Sequence, residues 1–148
     1  MQLTKRQIEV LKLRSEGRSQ REVARILGTS RENIAILESR ALKNAERALK
    51  TLQQYLRAVS AFSETLKAGE RVEEASRRVL ERGNEHRVRL KTPLPELEEV
   101  FRALGGDSGR IEKPLEVFVL RDGSIVVIPA DIKALRAARA KPGGPAGT

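Results

Sequence analysis

Arg31, Glu32, Asn33, Ala35, Ile36, Ser39, Arg40 and Lys43 lie on one side of a short segment that mixes forked and planar hydrogen-bonding groups with small or branched apolar ones. Arginine can fork onto guanine, asparagine can pair bidentately with adenine, glutamate can accept from the amino group of cytosine, and alanine or isoleucine can touch a thymine methyl. The chemistry these types offer is reading base edges rather than breaking bonds. For any one charged residue the competing reading is a solvated helix face with pairing four residues apart. An exposed isoleucine beside Asn and Arg favours the first reading for the set. Just upstream, Arg18, Ser19, Gln20, Arg21, Thr29 and Ser30 fall at or near the starts of two expected helices. Free N–H groups point outward there, so these residues are candidate phosphate contacts.

The elements that must position these side chains form a helix-turn-helix from Leu3 to Leu49. Thr4 with Gln7, and Ser19 with Glu22, match the reciprocal capping box, and Ser30 can cap a third helix. Gly17 and Gly28 stand where a helix stop or a short turn favours a residue without Cβ. Between these marks Ile8 and Leu11, then Val23, Ala24 and Leu27, then Ile34, Leu37 and Ala41 recur at helical spacing and predict one small shared core. Measured at about 100° per residue from the Ile34, Leu37 and Ala41 stripe, the base-reading candidates point outward. Ala24 falls where the second helix must approach the third, so a larger side chain there would displace the outward-facing helix.

Charge follows the same division. The chain of 148 residues carries a net +9, and residues 1–60 hold 13 Lys and Arg against 6 Asp and Glu, or +7, leaving 16 against 14, or +2, for the rest. A basic excess concentrated on one segment is the expected footprint of a phosphate-binding face, because neutralising phosphates releases counterions. With no cysteine and one histidine, His86, disulfides, thiol catalysis and a Cys/His zinc site are excluded. His86 is read as a partly exposed loop residue. No apolar run approaches the roughly 18 residues of a spanning helix, and the chain opens on a capped helix instead of a signal peptide, so a cytoplasmic protein is expected. Preference for Arg over Lys, with no Cys or Trp and one Met, points to a thermophile.

Past Ala41 no Gly or Pro occurs until Gly69, which predicts that the third helix runs on to about Ala68. Leu42, Ala45, Leu49, Leu52, Leu56 and Val59 alternate spacings of three and four, with Leu66 in phase, as in a heptad seam. Ala48, Tyr55 and Phe62 widen that seam, so the helix is expected to pair with its copy in a homodimer and also to accept a second domain. The competing reading is packing within its own chain.

The expected fold class is α+β, with three parts. Residues 1–68 form the helix-turn-helix with its long third helix, residues 69–130 a small domain of two helices and a three-stranded sheet, and residues 131–148 a short helix to about Ala140 with a disordered basic tail. In the second part Val72 to Gly83 reads as a helix and His86 to Lys91 as a strand. A helix should start at Thr92-Pro93, with Leu94, Leu97, Val100, Phe101 and Leu104 on one face. Leu115–Leu120 and Ser124–Ile128 should form a hairpin closed by a two-residue type I′ turn at Asp122-Gly123. Leu115, Val117 and Val119 face one way and Phe118 and Leu120 the other, so both sheet faces need cover. No catalytic constellation, cofactor site or metal site is found. Glu73-Glu74 and Glu98-Glu99 diverge by about 100° on their helices, and the Gly105–Gly109 loop lacks the GK[ST] ending of a phosphate loop.

The LTKRQIEVLKL opening, the EVARILGTS turn and the SRENIAILESRALK helix resemble region four of bacterial sigma factors and the LuxR-type regulators. With VEEASRRVLERGNEHRVRLKTPLPELEEVFRAL and LEVFVLRDGSIVVIP following in that order, the chain from Leu3 to about Pro129 resembles the archaeal Tfx family of DNA-binding transcriptional regulators. The resemblance implies promoter-region DNA binding, linked in the family to the formylmethanofuran dehydrogenase operon. The partners expected are double-stranded DNA and a second copy of the chain. Two other readings stand beside a sequence-specific regulator: a sigma-like adaptor docking on RNA polymerase, and a nucleoid binder without sequence preference.

Overall fold

A computed structural model describes residues 2–136, and the chain divides into two compact units, one holding the residues up to Lys50 and the other Thr51–Ala134. The first contains α1 (Lys5–Ser15), α2 (Gln20–Leu27) and the opening turns of α3 (Arg31–Val59). Their starts are the expected ones. The Thr4 hydroxyl accepts from the Gln7 N–H at 3.1 Å while the Gln7 side chain accepts from the Thr4 N–H at 3.0 Å, and Ser19 and Glu22 repeat this box on α2. Each box satisfies donors that the first helical turn cannot pair internally. Gly28 closes α2 in the left-handed region at φ 69°, where a Cβ would cost about 1–2 kcal/mol.

Val10, Val23, Ala24 and Ile34 make the core of this unit, with Leu13, Leu27 and Leu37 packed around them; Ala41 is buried as expected. Ile8 is not part of it. It is 52% exposed, while Gln7 and Val10 are buried. The capping box turns Gln7 inward, and the residue after it stands about 100° round the helix, which leaves Ile8 facing out.

In the second unit the expected long helix stops early. α3 ends at Val59 and β1 (Ser60–Leu66) follows without a loop. Ser60, Phe62, Ser63 and Thr65 are weaker helix formers than the residues before them, and the Ser60 hydroxyl donates to the Leu56 carbonyl, satisfying an acceptor of the last turn. Leu66 is therefore a buried strand residue and not a seam position. The sheet has the order β1-β2-β3, all antiparallel, with β2 at Leu115–Leu120 and β3 at Ile125–Pro129.

Phe62 and Leu66 of β1 join Leu115, Val117 and Val119 of β2 against Val72, Ala75 and Val79 of α4 (Val72–Glu85) and Leu97 and Phe101 of α5 (Leu94–Gly105). Glu64 shares this face and is held by Arg78 at 3.3 Å and Arg82 at 2.6 Å. On the opposite face Phe118 is fully buried, which contributes about 2 kcal/mol. There Arg57 pairs with both oxygens of Glu116 at 2.7 Å, and the Gln53 side chain donates to the Ala130 carbonyl. The last turns of α3 thus supply the second cover that an apolar hairpin needs.

Residues 86–91 are not a strand. Val88 and Leu90 do pack on the core, but β1 already occupies the edge of β2, so the segment passes beside the hairpin turn, where the Lys91 N–H donates to the Gly123 carbonyl at 2.9 Å. Nor does Gly83 end α4: it is buried in the last turn, where a Cβ would lie 2.6 Å from Leu90 Cδ1 and 2.9 Å from the Val88 carbonyl oxygen. His86 caps α4 and stacks on Phe62 with ring centroids 4.8 Å apart. Leu104, expected on the inner face of α5, is 49% exposed.

The hairpin turn also differs. The Leu120 N–H donates to the Ser124 carbonyl and the Gly123 N–H to the Leu120 carbonyl. Gly123 has φ 89° while Asp122 does not enter the left-handed region, so the loop is the three-residue kind with one left-handed glycine rather than type I′. α6 spans Ile132–Arg136; the expected continuation to Ala140 and the terminal tail lie outside the described residues. No described helix is long and apolar enough to cross a membrane.

Candidate nucleic-acid interface

The turn between α2 and α3 is built from hydrogen bonds that its sequence dictates. The Thr29 N–H donates to the Ala24 carbonyl at 2.9 Å, and the Ser30 hydroxyl accepts from the Asn33 N–H at 3.1 Å. The Asn33 side chain donates to the Thr29 hydroxyl at 3.0 Å. Arg31, Glu32, Asn33, Ser39, Arg40 and Lys43 are exposed as expected, and Ile36 keeps 48% of its surface in solvent, while Ala35 is half-buried.

A polar chain missing from the sequence expectation runs through this unit. Glu38, only 4% exposed, accepts from Arg14 Nε of α1 at 2.8 Å and from Gln20 Nε2 of α2 at 2.9 Å. Gln20 Oε1 in turn accepts from the Arg31 guanidinium at 3.0 Å, and Arg14 also donates to the Arg18 carbonyl at 2.7 Å. A buried carboxylate is stable only where its lone pairs are met. Here the donors come from two other helices, so the same bonds that satisfy Glu38 fix how α1, α2 and α3 meet. The signal was legible in principle: Glu38 lies four residues past Ile34 and three before Ala41, a charge set into the apolar stripe.

Of the expected phosphate contacts, Ser19 and Arg21 are exposed, and Gln20 and Arg18 are half-buried, Arg18 lying 3.4 Å from Glu16. Gln20 and Arg31 are brought together directly, as are Asn33, Thr29 and Ser30. Arg40 and Lys43 lie elsewhere: with Gln2, Thr4, Gln7, Asn44 and Arg47 they line a groove of about 340 Å³. Of the expected dimer seam, Leu56 is buried and Leu42, Ala45 and Leu49 are half-buried, whereas Leu52 and Val59 are 44% and 41% exposed. Tyr55, at 62%, extends that exposed pair into a stripe. Among the described residues no group of three or more His, Cys, Asp or Glu is placed to hold a metal ion.

Residues 1–44 match the family Sigma-70, region 4. The chain is 33% identical over 128 residues to a protein of Methanocaldococcus jannaschii that is a transcriptional regulatory protein by name, covering 84% of this chain and 93% of the relative. It is 32% identical over 130 residues to the DNA-binding protein Tfx of Methanothermobacter thermautotrophicus, with the same coverage. A relative from Thermococcus kodakarensis, also named as a transcriptional regulatory protein, is 58% identical over 45 residues, 30% of each chain. Likeness at this level across nearly the whole length of two relatives fixes the kinship: the chain belongs to the archaeal Tfx family.

Proposed function

We infer that the protein is a transcriptional regulator that binds double-stranded DNA sequence-specifically in the cytoplasm, reading the major groove with the amino half of α3 and acting as a homodimer. The observation that carries this is the α2–α3 unit itself. Two capped helices meet through a buried Glu38, and Arg31, Glu32, Asn33, Ile36 and Ser39 stand together in solvent beside Arg21. An isoleucine left 48% exposed among hydrogen-bonding side chains suits a surface that meets thymine methyl groups. The regulatory names of the Methanocaldococcus and Methanothermobacter relatives support the same reading. In it the protein works by binding and has no catalytic residue.

Base-reading and phosphate-binding residues separate in a binding assay. Asn33→Ala should cost about 1–3 kcal/mol at the preferred site and relax its specificity, whereas Arg21→Ala should weaken all duplexes alike. Equal small losses from both variants on every duplex would leave a nucleoid-type binder. A second reading, an adaptor docking on RNA polymerase, is favoured by Ile8 and Ile26, which are 52% and 51% exposed on α1 and α2. It requires that Ile8→Glu abolish polymerase binding and that neither Asn33→Ala nor Arg21→Ala change DNA binding.

A further inference from the structure

We propose that Arg40 and Lys43 seat a backbone phosphate of the DNA rather than reading bases, in the groove they form with Thr4, Gln7, Asn44 and Arg47. The inference rests on the DNA-binding reading and divides its contact surface in two. At about 1.5 Å per residue, Arg40 stands roughly 13 Å along the axis from Arg31 and Arg47 roughly 24 Å. The major groove is only about 12 Å wide. A helix whose first turns touch base edges has therefore reached the phosphate rim by Arg40.

Direction agrees with distance. At about 100° per residue, Arg40, Asn44 and Arg47 share one flank of α3, and Arg31 and Glu38 lie on the opposite flank. The Arg31 flank is the one bonded to Gln20 of α2, where the first set of phosphate contacts is expected. The Arg40 flank faces the start of α1, and Thr4 and Gln7 form its wall. Arg40 and Lys43 are exposed, so an anion can enter without breaking the core. The two flanks would then hold the two strands that border one major groove, with the base readers between them.

The test uses the full chain, with Arg40→Gln and Lys43→Gln combined, and circular dichroism to confirm that the exposed substitutions leave the fold intact. Affinity is measured against the preferred duplex and a random-sequence duplex over a range of salt. The expected result is weaker binding to both, with the slope of log K against log salt shallower by about 2, at roughly 0.9 per phosphate contact, and an unchanged base preference. An unchanged slope with an altered preference would make these residues base readers and overturn the proposal. Saturable binding of inorganic pyrophosphate, lost in the double variant while both duplexes are bound as before, would overturn it in favour of a small anionic ligand. Failure of the wild-type chain to bind any duplex would instead defeat the DNA-binding reading, and this inference with it.

Discussion

Gln20 Nε2 lies 2.9 Å from Glu38 Oε1, so the side chain at the head of α2 is anchored by a buried carboxylate of α3. That bond makes Glu38 a positioning residue for a surface it does not reach. Glu38→Ala leaves Arg14 and Gln20 without their acceptor, and by analogy with broken buried pairs it should cost about 3 kcal/mol. Urea unfolding of the full chain measures this. Glu38→Gln, which keeps one acceptor oxygen, should lose less; a loss no larger than that of an exposed surface substitution in either variant would contradict the anchoring role.

Gly123 and Gly28 both have positive φ, yet their surroundings differ. A Cβ on Gly123 would sit 2.0 Å from the Arg89 carbonyl oxygen, a backbone atom, whereas nothing lies within 4 Å of one on Gly28. Gly28→Ala should cost the left-handed penalty alone, about 1–2 kcal/mol. Gly123→Ala should lower the melting temperature further, because the hairpin turn or the 88–91 segment must move. Equal shifts in the two variants would show that the turn does not lean on Arg89.

Acid should loosen that same turn. The Ser124 hydroxyl and N–H, with Lys91, hold the Asp122 carboxyl well below the usual carboxylate range. A carboxylate whose folded pKa is depressed stabilises the fold above its unfolded pKa, near 4, and loses that contribution as pH falls toward the folded value. Asp122→Asn should therefore lower the melting temperature at pH 7, and its gap from wild type should narrow below about pH 4. A gap that persists unchanged into acid would mean that the carboxylate charge is not what the turn uses.

Leu52, Tyr55 and Val59 form an exposed apolar stripe at helical spacing, the part of the expected seam that its own chain leaves uncovered. Tyr55→Glu should convert a dimer to a monomer in light scattering while the circular dichroism spectrum is retained. A wild-type chain that is already monomeric at micromolar concentration would remove the dimer from the proposed function.

What could be read in the sequence was what is local. Thr4 with Gln7, and Ser19 with Glu22, act within a single turn, and their types and spacing alone predict the bonds found. The switch from helix to strand at Ser60 was hidden because Val59 and Leu66 happen to keep the heptad phase. What decides it is β2, more than fifty residues on, which offers Leu66 a partner in Leu115. Val88 and Leu90 show the converse: their alternation was read correctly as half-buried, but a strand also needs an unpaired edge. Within the candidate interface, exposure followed from helical periodicity, whereas the Arg14–Glu38–Gln20–Arg31 chain depends on where three helices meet.

The most direct test of the central claim is selection of fragments of the source genome on the purified full chain at roughly physiological salt, where non-specific attraction fades, repeated with Asn33→Ala. The account predicts a few loci that share two half-sites about 10 base pairs apart, lost with the variant. Indiscriminate recovery, or the same loci from Asn33→Ala as from wild type, would contradict it.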